Sequence, residues 1–259
     1  MVLLLSMLAT SALVLVRQQT TVTHRDASLA RAAAAADATL VFAMARLSDT
    51  QSARHPAIGG DPQPWSFDGI ATTYLVTEED GRIDLNEADP WLLYGYLRSK
   101  EISDTKASAL IESLRKTGTG ALSSESDLAP APQLRTPEEL ERRPGWNRPE
   151  LRCWLRDLTV YSGLPDVSVV HATSGTRGAL QWAEDHRLGD RSWLAADSGG
   201  QSFTTVHSII GDVLRIEVTA REGEVSVARE WVGRLTGDAA HPALTIRWDD
   251  RMDGCVTSD

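Results

Sequence analysis

The chain has 259 residues, 42% of them hydrophobic and 24% charged, which is enough for a sizeable core and for two compact units. Its 26 basic and 36 acidic residues give a net charge of −10, a balance unsuited to nonspecific nucleic-acid binding, which relies on Lys and Arg to neutralise phosphates. Two cysteines far apart, Cys153 and Cys255, exclude a thiolate zinc site without several other ligands; they read either as a disulfide, if the chain is extracytoplasmic, or as two free thiols.

The first fifty residues organise the rest. Val2 to Val16 carries no charge, and Arg17 ends that run. Ala-rich sequence continues to about Ala53, and no Pro or Gly appears before Pro56. Residues that favour helix dominate, so one long helix is expected, apolar in its first half and soluble in its second. About 15 residues rise about 22 Å, short of a hydrocarbon core of about 30 Å. Three readings follow: a secretory signal, a buried helix, or a membrane span whose beginning lies upstream. Arg17 and the polar turn after it favour the span.

His55 to Gln63 reads as a loop. Ala71 to Thr77 and Arg82 to Asn86 read as the two strands of a hairpin closed by Glu78-Glu79-Asp80-Gly81. Ala88, Leu92, Leu93, Tyr96 and Leu97 then recur at helical spacing, with Pro90 early in the helix. A second helix is expected from about Ser103 through Leu114, joined to the first by Ser99 to Ile102. Thr117 to Arg135 reads as a loop, Thr136 to Leu140 as a helix start and Pro149 to Leu158 as a further helix, with Thr159 to Ser162 extended. Val167 to Ala172 echoes the pattern of Ile83 to Ala88, and Leu180, Trp182 and Ala183 would open the matching helix. Ser208 to Ala220, Val225 to Leu235 and Ala243 to Trp248 are expected strands of an antiparallel sheet that the first hairpin joins. The fold class is α+β: a stalk helix over 1–54, a sheet region over 55–86 and 201–248, a mostly helical insertion over 87–200, and a tail over 249–259.

Within the stalk, Ala27, Ala30, Ala34, Ala38 and Val41 lie three or four apart on one helical face. Small residues there admit close approach, either of another subunit's helix or of the chain's own sheet. The helical hairpin invites comparison with helix-hairpin-helix DNA-binding modules, or a SAM-like arrangement. Such modules hold phosphate on the N–H groups of a glycine-rich turn. The turn here is Lys100-Glu101-Ile102-Ser103, with no glycine and an added carboxylate, so nucleic acid is not expected as a partner. The six histidines, His24, His55, His171, His186, His207 and His241, sit in no catalytic signature, and an uncharacterised enzyme is the weaker alternative. Asp249, Asp250, Asp253 and Gly254 offer hard oxygen ligands for calcium without the EF-hand spacing, so a solvated tail is the better reading.

Taken in order, these segments resemble the minor pseudopilin K of type II secretion (the general secretion pathway protein K family). The resemblance rests on the apolar N-terminal helix and on Gly81-Arg82-Ile83-Asp84-Leu85-Asn86-Glu87-Ala88, similar to the family's G-R-I-N-L-N-x-A. It rests also on Leu158 to Ser162, similar to L-T-V-x-S, and on two late strands, Leu214 to Ala220 and Leu244 to Trp248. The motif positions are Gly81, Ile83, Leu85, Asn86, Ala88, Thr159 and Ser162. Asp84 stands where the family often has Asn, Val170 where the echo would have one, and no Gly after basic residues precedes Val2. The resemblance implies a pilin-like fold, a non-enzymatic role and a single-pass inner-membrane anchor with a periplasmic head. It also implies a place at the pseudopilus tip with the I and J minor pseudopilins and other pseudopilus subunits, supporting export of folded proteins across the outer membrane. Some family members bind calcium, but no ligand set carries over to numbered positions here. No catalytic residue or organic cofactor is expected.

Overall fold

A computed structural model describes residues 2–49, 51, 54–115, 133–146, 149–186, 209–238 and 240–250. Contacts divide the chain into two compact units, Met1–Val76 with Arg215–Met252, and Thr77–Leu214 with Asp253–Asp259.

The first unit is a helix on a sheet. Helix α1, Val2–Leu47, runs 46 residues, about 69 Å at the usual rise. It stops at Leu47 rather than near Ala53: Ser48 turns its hydroxyl back on the Met44 carbonyl (3.0 Å), and the Asp49 side chain accepts from the Gln51 N–H (2.9 Å). Such local side-chain bonds compete with helix propagation. The sheet runs in the order β1-β2-β5-β6-β7, with β1 Gln63–Phe67, β2 Ile70–Glu78, β5 Val213–Glu222, β6 Val225–Leu235 and β7 Ala243–Asp250. Helix α1 lies on β6 and β1. Ala32, Ala35, Ala36, Leu40, Ala43 and Leu47 are buried there. Alanines let the helix axis approach the strands closely, and Phe42 closes the β1 end by stacking on Trp65 at 4.4 Å.

The Asp-Gly hairpin signal belongs elsewhere than expected. Strand β2 pairs with β1, with Phe67 opposite Ile70. The two loop residues, Asp68 (φ 49) and Gly69 (φ 77), are both left-handed, as a type I′ turn requires. Pro64 disguised β1, but it lies on an edge strand, where a missing N–H is tolerated. The segment after Glu78-Glu79-Asp80-Gly81 does not return to β2. Strand β3, Ile83–Asp84, instead pairs in parallel with β4, Leu158–Thr159.

The second unit is built around that two-stranded pair. Helices α2 (Pro90–Ser99) and α3 (Asp104–Arg115) follow β3. A 3-10 turn, Pro137–Arg142, stands where Thr136 to Leu140 promised a helix, and α4 is one turn only, Leu151–Trp154. Asp89 caps α2 by accepting from Trp91 N (2.8 Å), with Pro90 at the first position. Val167 to Ala172 forms no strand, so the echo of β3 fails there, but α5, Ser174–Asp185, follows it under a Thr173 cap. Ile83, Tyr96, Leu97, Leu140, Trp146 and Leu158 are fully buried in this unit's core. The expected strand from Ser208 begins only at Val213. Most of the expected loop Thr117 to Arg135, and most of the tail, lie outside the described residues.

Candidate functional site

Two features of the chain carry functional weight. The first is the face of α1 turned away from the sheet. Ala27, Ala30, Ala34 and Val41 are exposed and Ala38 is half-buried. The residues packed on the sheet are mainly a different set, from Ala32 to Leu47, and of the five positions singled out by spacing Ala38 alone is partly covered. Val22 and Leu29 are also exposed. The helix is held in rotation by polar contacts on its other side. Thr39 Oγ1 donates to the Ala35 carbonyl (2.6 Å) and lies 3.0 Å from Thr72 Oγ1, while Arg229 Nε donates to Asp37 (2.9 Å). By length and composition Val22–Leu47 is long and apolar enough to cross a membrane, although several of its residues are buried against the sheet.

The second feature is the polar joint where the motif positions meet. The β3–β4 pair brings Gly81 to Ala88 beside Leu158 to Ser162: Ile83 N donates to Asp157 O (3.0 Å) and Leu85 N to Thr159 O (2.8 Å). Glu79, fully buried, takes an ion pair from Arg82 Nη1 at 3.0 Å and a hydroxyl bond from Thr159. Asp84 uses both oxygens. Oδ1 accepts from the backbone of Asn86 (2.9 Å) and Glu87 (3.3 Å), and Oδ2 from Ser162 Oγ (3.0 Å) and Gly163 N (2.9 Å). Asn86 clips the chain to Leu134, donating to its carbonyl (3.0 Å) and accepting its N–H (2.9 Å). Gly81 is forced by space: a Cβ there would sit 2.0 Å from the His171 carbonyl oxygen. Ile83, Leu85, Ala88 and Thr159 are buried. The motif positions therefore hold this joint together.

Several residues of the joint give no signal in the sequence. Glu78 and Glu79 fall in a stretch that reads as an exposed turn, yet both are buried. Asp157 accepts from Thr173 Oγ1 (2.6 Å) and Tyr96 OH (2.9 Å) and pairs with Lys100 Nζ (3.4 Å). Burial and then the Asp157 charge push the Tyr96 phenol well above its ordinary range. His171 Nδ1 lies 2.9 Å from Asp80 Oδ1 and 3.0 Å from Glu78 Oε2. Its bonds to Asp80 and then Glu78 outweigh burial and raise its pKa to about 10. Among the described residues, then, the His171 ring meets carboxylates and no nucleophile.

The other chemistries fare differently. At the hairpin turn, Lys100 N bonds to Tyr96 O and Leu97 O, Glu101 N to Arg98 O and Ile102 N to Leu97 O. Those N–H groups are occupied within the chain and do not form a phosphate cradle. Asp249 pairs with Arg247 and Asp250 with Arg229, so the two described members of the acidic tail do not converge as calcium ligands; Asp253 and Gly254 lie outside the described residues. Cys153 is disulfide-bonded; the one other cysteine of the sequence, Cys255, lies outside the described residues.

No family model and no curated protein matches the sequence. The structure is similar to a chain in the crystal structure of the GspK-GspI-GspJ complex from the enterotoxigenic Escherichia coli Type 2 Secretion System. The TM-score is 0.56 at 8% identity, over 91% of this chain and 100% of that chain. At that identity the likeness is one of fold: a mixed α+β chain with a long N-terminal helix and an antiparallel sheet, consistent with a pilin-like architecture.

Proposed function

We propose that this chain is a non-enzymatic minor pseudopilin at the tip of a type II secretion pseudopilus, anchored in the inner membrane by α1 with its head in the periplasm. It assembles there with the I and J minor pseudopilins and supports export of folded proteins across the outer membrane. The observation that carries this reading is the fold likeness over nearly the whole chain to a member of a secretion complex. Three further features agree with it. Helix α1 leaves Ala27, Ala30 and Ala34 exposed, where another subunit's helix can approach closely. The bonds of Glu79, Asp84 and Asn86 run within the chain and tie β3 to β4 and to Leu134. A disulfide at Cys153 suits an oxidising compartment.

Deleting the gene in its native host tests the proposal. Loss of folded substrates from the medium, with their accumulation in the periplasm and rescue by the intact gene, is the expected result. Undiminished secretion in the deletion strain would count against the reading.

A further inference from the structure

We infer that Glu78, Asp80 and His171 form a binding site for one divalent transition-metal ion of the Zn²⁺ class. One ligand atom from each residue, His171 Nδ1 and a carboxylate oxygen from Glu78 and Asp80, lies within 4.8 Å of the others. The arrangement exceeds what a hydrogen bond needs. A ring nitrogen carries one N–H, yet three carboxylate oxygens stand within 3.1 Å of it: Glu78 Oε2 at 3.0 Å, Asp80 Oδ1 at 2.9 Å and Asp80 Oδ2 at 3.1 Å. One proton cannot point at all three.

The charge count argues the same way. Glu78 is 95% buried by relative area, and among the described residues neither acid pairs with Lys or Arg. Two carboxylates facing one imidazolium leave an excess negative charge in a partly desolvated place, which is costly. A divalent cation with a neutral imidazole balances the two carboxylates.

The ligands are also held before any ion arrives. Ser168 N donates to Asp80 O (2.9 Å) and Thr173 N to Gly81 O (3.3 Å), so the two segments bearing the ligands are tied on either side of the cluster. Gly81 packs against the His171 backbone where no Cβ fits. Ligand atoms around a tetrahedral ion at bonds of about 2.0–2.1 Å sit about 3.3 Å apart, a few tenths of an ångström wider than the His171 Nδ1 separations from Glu78 Oε2 (3.0 Å) and Asp80 Oδ1 (2.9 Å). His171 and Asp80 keep over a quarter of their side-chain surface exposed, which leaves room for water to complete the shell. A nitrogen donor with two oxygens suits Zn²⁺ and its neighbours, whereas Ca²⁺ and Mg²⁺ prefer oxygen alone. The ion would fasten the end of β2 to the loop that precedes α5.

The test is calorimetric titration of the full chain in detergent, stripped with chelator, with Zn²⁺, Ca²⁺ and Mg²⁺ in turn. Zn²⁺ should bind with a stoichiometry of about one that Asp80→Asn and His171→Gln each weaken by about tenfold or more, while His55→Gln leaves it unchanged. Circular dichroism checks that the variants are folded. Should one fail to fold, Co²⁺ titrated into the wild type decides: a saturable visible band displaced by Zn²⁺ is expected. Absence of Zn²⁺ heat, heat that survives both substitutions, Ca²⁺ binding without Zn²⁺ binding, or no Co²⁺ band would each overturn the site.

Discussion

Asp84 shows how much a single carboxylate organises. It receives four donors on two oxygens, two from its own turn and two from the Ser162-Gly163 corner. An amide has one such oxygen. Asp84→Asn must therefore turn an NH₂ toward the Gly163 N–H or toward the Asn86 turn. The expected cost is about 1–3 kcal/mol, the penalty of a buried unsatisfied donor, read as a lower midpoint in chemical denaturation. Glu101 is the converse case. It holds φ 61 at the turn between α2 and α3, a conformation that glycine adopts freely. Relief of about 1–2 kcal/mol of strain, less the extra chain entropy of glycine, makes Glu101→Gly stabilising by about 0.5–1 kcal/mol, visible as a rise in Tm. Tyr96 supplies a pH dependence. Its phenol is raised by burial and by Asp157, so the folded state keeps a proton that the unfolded chain loses near pH 10. That contribution is intact below pH about 10 and declines as pH rises further. Denaturation midpoints should fall more steeply above that pH in the wild type than in Tyr96→Phe.

Among the elements, period made some visible and chain distance hid others. The apolar spacing of Leu92, Leu93, Tyr96 and Leu97 locates α2, and the alternation of Val225 to Leu235 locates β6, because each pattern is local. Strand β3 lies within the expected strand Arg82 to Asn86, but its partner, Leu158–Thr159, comes after four further elements, so no local pattern could announce the parallel pairing. The buried state of Glu79 was equally hidden, since it depends on Arg82 and on Thr159 from β4. Strand β7 lies at the sheet edge and pairs with β6 through a register shift at Val232 and Gly233; Leu244, Ile246 and Trp248 on it are exposed. The face of α1 bearing Ala30 and Ala34 was legible by spacing, and these two lie uncovered. Ala30→Glu or Ala34→Glu should leave the unfolding transition within about 0.5 kcal/mol of wild type, as exposed substitutions do. Under the proposed function, recovery of the I and J minor pseudopilins with this chain from solubilised membranes should drop severalfold. Unchanged recovery would remove that face from the account.

At the scale of the molecule, composition and period conveyed the α+β class and the long helix. The redox state was open in the sequence, since two cysteines so far apart are compatible with thiols or a bridge. With Cys153 disulfide-bonded, alkylation of the unfolded, unreduced chain should find no reactive thiol, and prior reduction should expose two per chain, the number in the sequence. The proposed pseudopilin role rests on the fold likeness and on the order of the motifs, and it stands or falls with assembly. The most direct measurement is the mass of the species formed when the full chain and the I and J minor pseudopilins from the same host are purified together in detergent. Light scattering after size exclusion should give a single complex with one copy of each. Three separate species at concentrations of tens of micromolar would contradict the assignment of this chain to the pseudopilus tip.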